Sequence, residues 1–446
     1  MRIKRGVSYH PFKDELYVHS VNTQKDYVLE GIALDVLDYI KEHVDCSLKE
    51  LTESLSELYD IKDMTNFESD IREFVEELMA EEILCEAEEV EKPWTREIAS
   101  EVEAFFAKSC KLHYLSLELT YRCVEKCVHC YIDDAPSSCV KDELTMDEIK
   151  RILKQAHKMG CVKILLTGGE VLLRKDFLDI AEYAVGLGFI VDVYTTGVGL
   201  TDETFDRMVA MKLNSVSFSL YSGAAAEHDA ITRLPGSFEK TLKAMMMFNC
   251  AGVTTFIKCV AIRQNFDALE SVYKLGQRLK IRVSISPQIA SGHEQKHACD
   301  YRLSAEQYRK FFALESRYSH IKQEDYSSKV PKMLENPPCS AGLNCLSVDP
   351  FGGVHPCIAF AETVGSLRKD TLENLWDKVG RLKYLQNFKL GNITPNCRTC
   401  EVVEFCHVCL GDLLKEHSGE LSDCGDTLIM ARARAAVTKF LGRNSL

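Results

Sequence analysis

No run of apolar residues approaches the roughly 18 that a membrane helix needs. The first ten residues lead into neither a long apolar stretch nor a small-residue cleavage site. Neither a membrane span nor a secretory signal is therefore expected, and a cytoplasmic protein is. Basic charge is also in short supply: 54 Lys+Arg stand against 67 Asp+Glu, a formal net charge of −13. The imbalance is local, because residues 1–90 hold 23 acidic and 9 basic residues, a balance of −14, and the other 356 are nearly neutral together. Such a unit repels the phosphates that supply most nucleic-acid affinity, so no nucleic-acid partner is expected. What the chain has in quantity is cysteine, 19 in 446 residues. Thiols in a reducing compartment do not form a disulfide scaffold, which leaves metal ligation as the better account.

The length exceeds the roughly 250–300 residues at which single cores stop growing, so two or three domains are expected. Residues from about 5 to 30 alternate apolar and polar and read as short strands. Leu34, Leu37 and Ile40, then Leu48, Leu51, Leu55 and Leu58, then Ile71, Phe74, Val75, Leu78 and Ile83 recur at three and four, the period of amphipathic helices. Together they predict a winged-helix-like unit over residues 1–90. A linker helix is predicted within 91–112, over Ile98–Phe106.

From 113 to 320 strands and helices alternate. The strand-like runs are His113–Thr120, Lys163–Gly168, Ile190–Thr195, Ser215–Tyr221, Thr254–Ala261 and Ile281–Ile289. Helical patterns separate them, with a further one over Ala305–Tyr318. Six β/α units with Val/Ile-rich strands predict an α/β fold, a parallel sheet curved into a partial TIM-type (β/α)6 barrel, with its chemistry at the C-terminal strand ends.

Two motifs fall at such ends. Directly after the first strand comes Cys123-Val-Glu-Lys-Cys127-Val-His-Cys130. Three thiolates hold a [4Fe–4S] cube by three corners and leave one iron open, whereas a structural zinc wants a fourth ligand. Thr167-Gly168-Gly169-Glu170 closes the second strand, where glycines permit close backbone approach to a ligand and a carboxylate can accept from an ammonium. Past residue 335, Cys339, Cys345, Cys357, Cys397, Cys400, Cys406, Cys409 and Cys424 supply eight thiolates, enough for two four-ligand sites. On spacing alone, two zinc ribbons remain an alternative there. Cys46, Cys85, Cys110, Cys139, Cys161, Cys250, Cys259 and Cys299 fall mostly in helical or strand patterns and read as small core hydrophobes.

The first cysteine motif, with the Gly-Gly-Glu triplet after it, resembles the radical S-adenosylmethionine (SAM) superfamily over residues 113–320. The resemblance implies SAM on the open iron, its sulfonium split by one electron to a 5′-deoxyadenosyl radical. It also implies His129 near the adenine, Gly168, Gly169 and Glu170 at the amino group, Thr196, Gly197 and Ser219 near the ribose, and Arg233 at the carboxylate. Val171 stands where that family usually has proline. The C-terminal cysteines resemble the SPASM domain of residues 321–446. That likeness implies Cys339, Cys345, Cys357 and Cys409 on one auxiliary cluster and Cys397, Cys400, Cys406 and Cys424 on a second, for three [4Fe–4S] clusters in all. Two residues separate Cys406 from Cys409 where that family usually has three.

Residues 1–90 resemble the leader-peptide recognition domain of peptide-maturation systems, in which an edge strand captures the leader. The three parts together resemble maturases of sactipeptides and ranthipeptides, which join a cysteine sulfur to a carbon of a ribosomally made peptide. Expected partners are a precursor peptide and a flavodoxin- or ferredoxin-type electron donor, with no membrane. The alternatives are a carbon–carbon or other cross-link, sulfatase-maturase-like oxidation, or a non-enzymatic zinc-stabilised peptide-binding protein. Thr195-Thr-Gly-Val-Gly-Leu-Thr201 locally resembles enzymes of pyrroloquinoline quinone precursor formation.

Overall fold

A computed structural model describes residues 1–4, 7–12, 15–20, 23, 25–43, 46–85, 111–132, 142–289, 300–318, 330–378, 380–416 and 424–443. The expected linker helix and Cys110, Cys139 and Cys299 lie outside these residues. Two compact units emerge: residues 1–109 with 184–190, and the remainder.

In the first unit, strands β1 (Arg2–Ile3), β2 (Val7–Phe12), β3 (Glu15–Ser20) and β4 (Lys25–Glu30) precede helices Ala33–Glu42, Leu48–Leu58 and Met64–Ala80 and a short β5 (Leu84–Cys85). An antiparallel meander is ordered β2-β3-β4, and β1 pairs with β5. Leu16 and Val18 of β3 meet Val36, Leu37, Ile40, Leu51, Leu55, Ile71, Val75 and Leu78 from the three helices in one core. Helix starts follow local chemistry. Ser47 and Glu50 form a reciprocal capping box, and the Asp63 carboxylate accepts from the Thr65 amide. Leu58, expected on the apolar face, is 64% exposed because it ends its helix.

In the second unit, β6 (Tyr114–Glu118), β7 (Lys163–Thr167), β8 (Ile190–Thr195), β9 (Ser215–Ser219), β10 (Thr255–Val260) and β11 (Arg282–Ser286) lie side by side in sequence order. The pairs β6–β7, β8–β9, β9–β10 and β10–β11 are parallel. Helices Met146–Lys158, Phe177–Gly186, Asp202–Ala210, Ser237–Cys250 and Leu269–Leu279 separate them, and Ala305–Tyr318 follows. Interior strand residues such as Leu115, Ile164, Leu166, Val193, Val216, Phe218 and Ile257 are fully buried, which is why these strands read as continuous apolar runs.

Two features go beyond the sequence expectation. A short helix, Ala225–Thr232, follows β9. The sheet also continues past β6: β12 (Cys345–Val348) pairs with it in parallel, then β13 (Gly353–His355) and β14 (Gly365–Ser366) add on antiparallel. The cysteine-rich C-terminal segment is thus built onto the sheet that carries the first cysteine loop. No helix among the described residues is long and apolar enough to cross a membrane.

Candidate functional site

The first cysteine loop leaves the end of β6 and is pinned from two sides. From β7, the Gly169 amide donates to Thr120 O at 2.6 Å and the Glu170 amide to Arg122 O at 2.8 Å. From helix Ala225–Thr232, the carbonyls of Thr232 and Ile231 accept from the Lys126 and Val128 amides at 2.9 and 3.0 Å. The glycines are required for the first anchor. A Cβ on Gly168, which has φ +141°, would stand 2.3 Å from Thr120 O, and one on Gly169 would stand 2.2 Å from Arg122 O. Their close approach is therefore to the cysteine loop itself, where the sequence pointed to a ligand. Gly197 is likewise packed against Ala244 and the Phe218 ring.

Within the loop the thiols of Cys123, Cys127 and Cys130 act on one another electrostatically. Burial pushes Cys123 up to about 12 and raises Cys127, with the Glu125 carboxylate adding to both. Glu125 is 5% exposed, and burial lifts it to about 7. One of its oxygens accepts from the Cys127 thiol at 3.3 Å, and the other has no partner. Buried thiols raised in this way are protonated by themselves, and a cationic iron–sulfur core is what displaces such protons.

Around the loop lie the residues expected to hold SAM. Burial lowers His129 to about 4, so its ring is neutral; it stands edge-on to Tyr221 at 4.7 Å, and its Nδ1 is buried without a partner. An unpartnered ring nitrogen beside an aromatic face fits a planar heterocycle such as adenine. Arg233 is exposed, with φ +55°, at the end of the helix whose carbonyls hold the loop, and it has no ion-pair partner among the described residues. It can reach an anion there. Ser219 ends β9 beside Tyr221.

Glu170 and Thr196 behave differently from the expectation. Glu170 is fully buried, and its carboxylate accepts from the Thr195 hydroxyl, the Thr196 amide and the Thr196 hydroxyl, each at 2.6 Å, and from the Leu172 amide at 3.0 Å. Burial raises its pKa against those bonds. The carboxylate is filled from within the protein and clamps β7 to β8. Thr196 Oγ1 also accepts from the Val198 amide at 3.1 Å.

The sequence reading missed a buried network on the other side of the loop. Glu118, at the end of β6, accepts from the Tyr131 hydroxyl at 2.6 Å, and burial lifts it to about 7. Tyr221 and His228 were missed as well. The Tyr221 amide donates to His228 Nδ1 at 3.2 Å, and burial holds that imidazole near pKa 4.

The C-terminal cysteines fall into two neighbourhoods. In one, Cys339 and Cys345 act on Cys357, and Cys357 acts on Cys409. Burial raises all four, Cys345 to about 11 and Cys357 to about 12. In the other, Cys406 is raised to about 12, first by burial and then by Cys424, Cys397 and Cys400. Cys339, Cys357, Cys397, Cys400 and Cys406 pack against an apolar cluster that includes Phe360, Phe388, Val403 and Leu413. Among the described residues no three His, Cys, Asp or Glu side chains converge where one metal ion could be held. Of the remaining cysteines, Cys46, Cys161 and Cys259 are buried and Cys85 is half-buried; Cys250 is exposed at a helix end, contrary to the core role read from the sequence.

Residues 117–276 match the radical SAM superfamily, and residues 339–401 match SPASM, the iron–sulfur cluster-binding domain. The chain is thus an enzyme with a stretch matching the radical SAM model and one matching SPASM, domains that imply iron–sulfur clusters and SAM binding. It is similar to the PqqA peptide cyclase of Rhizobium meliloti, 27% identical over 276 residues, 58% of this chain and 72% of that one. It is also similar to a mycofactocin maturase of Mycolicibacterium smegmatis, 31% identical over 255 residues, 54% of this chain and 63% of that one. In fold it resembles Streptococcus suis SuiB bound to precursor peptide SuiA, with TM-score 0.57, 15% identity, and coverage of 96% of this chain and 99% of that one.

Proposed function

We propose that the enzyme is a maturase that forms a thioether between a cysteine sulfur and an acceptor carbon of a ribosomally made precursor peptide. One observation carries the peptide reading: the likeness to SuiB, a protein seen with a precursor peptide, runs over nearly the whole chain, N-terminal unit included. The relative named a peptide cyclase supports it.

In this reading residues 1–90 bind the leader, with 91–112 as linker. Among the described residues strand β4 is an edge of the meander, and it presents the apolar side chain of Val28 at 44% exposure. Residues 113–320 form a partial barrel, with Cys123, Cys127 and Cys130 holding the first cluster. Residues 321–446 hold two more clusters on the two thiol neighbourhoods. When bound, the first cluster and SAM supply a carbon radical that takes a hydrogen atom from the substrate. Arg233 binds the SAM carboxylate, and His129 and Tyr221 flank the adenine. Glu170, Gly168 and Gly169 act by fixing the loop and the strand ends. Joining S–H to C–H removes one hydrogen atom, one proton and one electron; the C-terminal thiols would hold the clusters able to accept that electron, and an external flavodoxin- or ferredoxin-type donor would supply the electron that SAM cleavage consumes.

The experiment is anaerobic incubation with SAM, reductant and the short precursor encoded beside the gene. A thioether costs the peptide two hydrogen atoms per link and one alkylatable thiol. Loss of two hydrogens with the thiol still alkylatable means a carbon–carbon or carbon–nitrogen link instead, and an unchanged mass rejects cross-linking of that peptide.

A further inference from the structure

Arg434 lies on helix Gly425–Arg443, in a setting that no substrate role explains. The guanidinium donates to Phe405 O at 3.2 Å and lies 4.5 Å from the ring centroid of buried Phe312, on the neighbouring helix Ala305–Tyr318. Phe405 immediately precedes Cys406, and the Arg434 charge acts on the Cys406 thiol. Burial lowers the Arg434 pKa, the mark of a cation withdrawn from water. Among the described residues no carboxylate stands within ion-pair distance. Glu315 acts on it only from farther off, and burial keeps that carboxyl raised.

A desolvated cation without a paired anion is costly, so it persists where an anion completes it. The anions set closest to it in sequence and field are the thiolates of the second neighbourhood, through Cys406. A cube with four thiolates is a net anion, and its charge grows by one when it takes an electron. A fixed cation beside one thiolate therefore stabilises the reduced form more than the oxidised form, and cluster potentials respond to local charge and hydrogen bonding in this way.

We propose that Arg434 sets the reduction potential of the cluster on Cys397, Cys400, Cys406 and Cys424, raising it so that this cluster can take an electron. The proposal rests on the reading that these thiols hold a cluster. In the step it serves, the substrate radical is oxidised by one electron as the carbon–sulfur bond closes and the thiol proton leaves. The cluster is reduced by that electron. Arg434 is a positioning residue, since it touches the cluster's surroundings and not the peptide.

The test is an EPR-monitored redox titration of the full-length, reconstituted enzyme with Arg434→Gln and Arg434→Lys, following the signals that SAM leaves unchanged. Arg434→Gln is expected to lower the reduced-to-oxidised ratio of one such signal about tenfold at fixed poise, about 59 mV for one electron. Arg434→Lys is expected to keep the parental value, because it keeps the charge. Parental potentials in a fully iron-loaded Arg434→Gln overturn the proposal. Should Arg434→Gln lose iron, Arg434→Lys decides alone: a parental potential supports the proposal and a tenfold shift overturns it. If the parental enzyme holds iron for one cluster only, the reading of the C-terminal thiols fails, a result that iron analysis separates from the others.

Discussion

The Glu170 carboxylate takes both the amide and the hydroxyl of Thr196 at 2.6 Å, locking the end of β7 onto the residue after β8. These strand ends border the cysteine loop, so the bond also holds the floor on which a cluster would sit. Glu170→Ala leaves buried donors at Thr195, Thr196 and Leu172 unpaired. A loss of about 2–4 kcal/mol of stability is expected. Glu170→Gln turns an amide hydrogen toward a donor and is expected to lose about 1–3 kcal/mol. Anaerobic denaturant titration checks both.

Gly169→Ala tests the loop anchor. Its Cβ would meet Arg122 O at 2.2 Å, and neither backbone can yield without moving the cysteine loop. The variant is expected to lose the iron of the first cluster while keeping that of the C-terminal sites. Iron analysis with deoxyadenosine production reads this, and full iron with parental turnover contradicts it.

Glu118 predicts a pH dependence. It faces Tyr131, Tyr121, Asp349 and His355, and burial lifts it from 4.5 to about 7. Folding therefore binds its proton more tightly, and the sign follows: stability is highest below the unfolded pKa and is lost as pH rises through 7. Glu118→Gln keeps the Tyr131 bond and cannot ionise. Relative to the parent it is expected to gain about 1–3 kcal/mol between pH 5 and pH 8. Denaturation midpoints at those two pH values decide it.

Val28→Lys on β4 places charge on the exposed edge proposed for the leader. A roughly tenfold weaker leader affinity, about 1.4 kcal/mol, is expected in fluorescence anisotropy. Deoxyadenosine production without peptide is expected to stay at the parental rate.

The sheet was legible in the sequence because its strands β6, β7 and β9 are almost wholly buried on both faces. Ile190–Thr195 is a strand over the residues that its apolar run marks, and Leu269–Leu279 a helix with the same bounds. The helix Ala225–Thr232 was not legible, since its small and polar residues carry almost no apolar periodicity. Nor was the pairing of β12 with β6, a long-range contact that no local pattern encodes. At the site, cysteine spacing marked the thiols, but a motif cannot tell whether a carboxylate faces outward to a ligand or inward. Glu170 faces inward because two threonines at the end of the next strand and just past it supply donors. Arg434 was hidden for a related reason: one arginine on a helix carries no signal until folding sets it beside Cys406.

The central claim is that Cys123, Cys127 and Cys130 hold a cluster with an iron left open for SAM. Its most direct measurement is deoxyadenosine release from anaerobically reconstituted, reduced enzyme, with and without alanine at all three positions. The parent is expected to carry roughly twelve irons per chain and to release deoxyadenosine. The variant is expected to keep about two-thirds of the iron and to release none above background. Release by the variant at the parental rate would contradict the account.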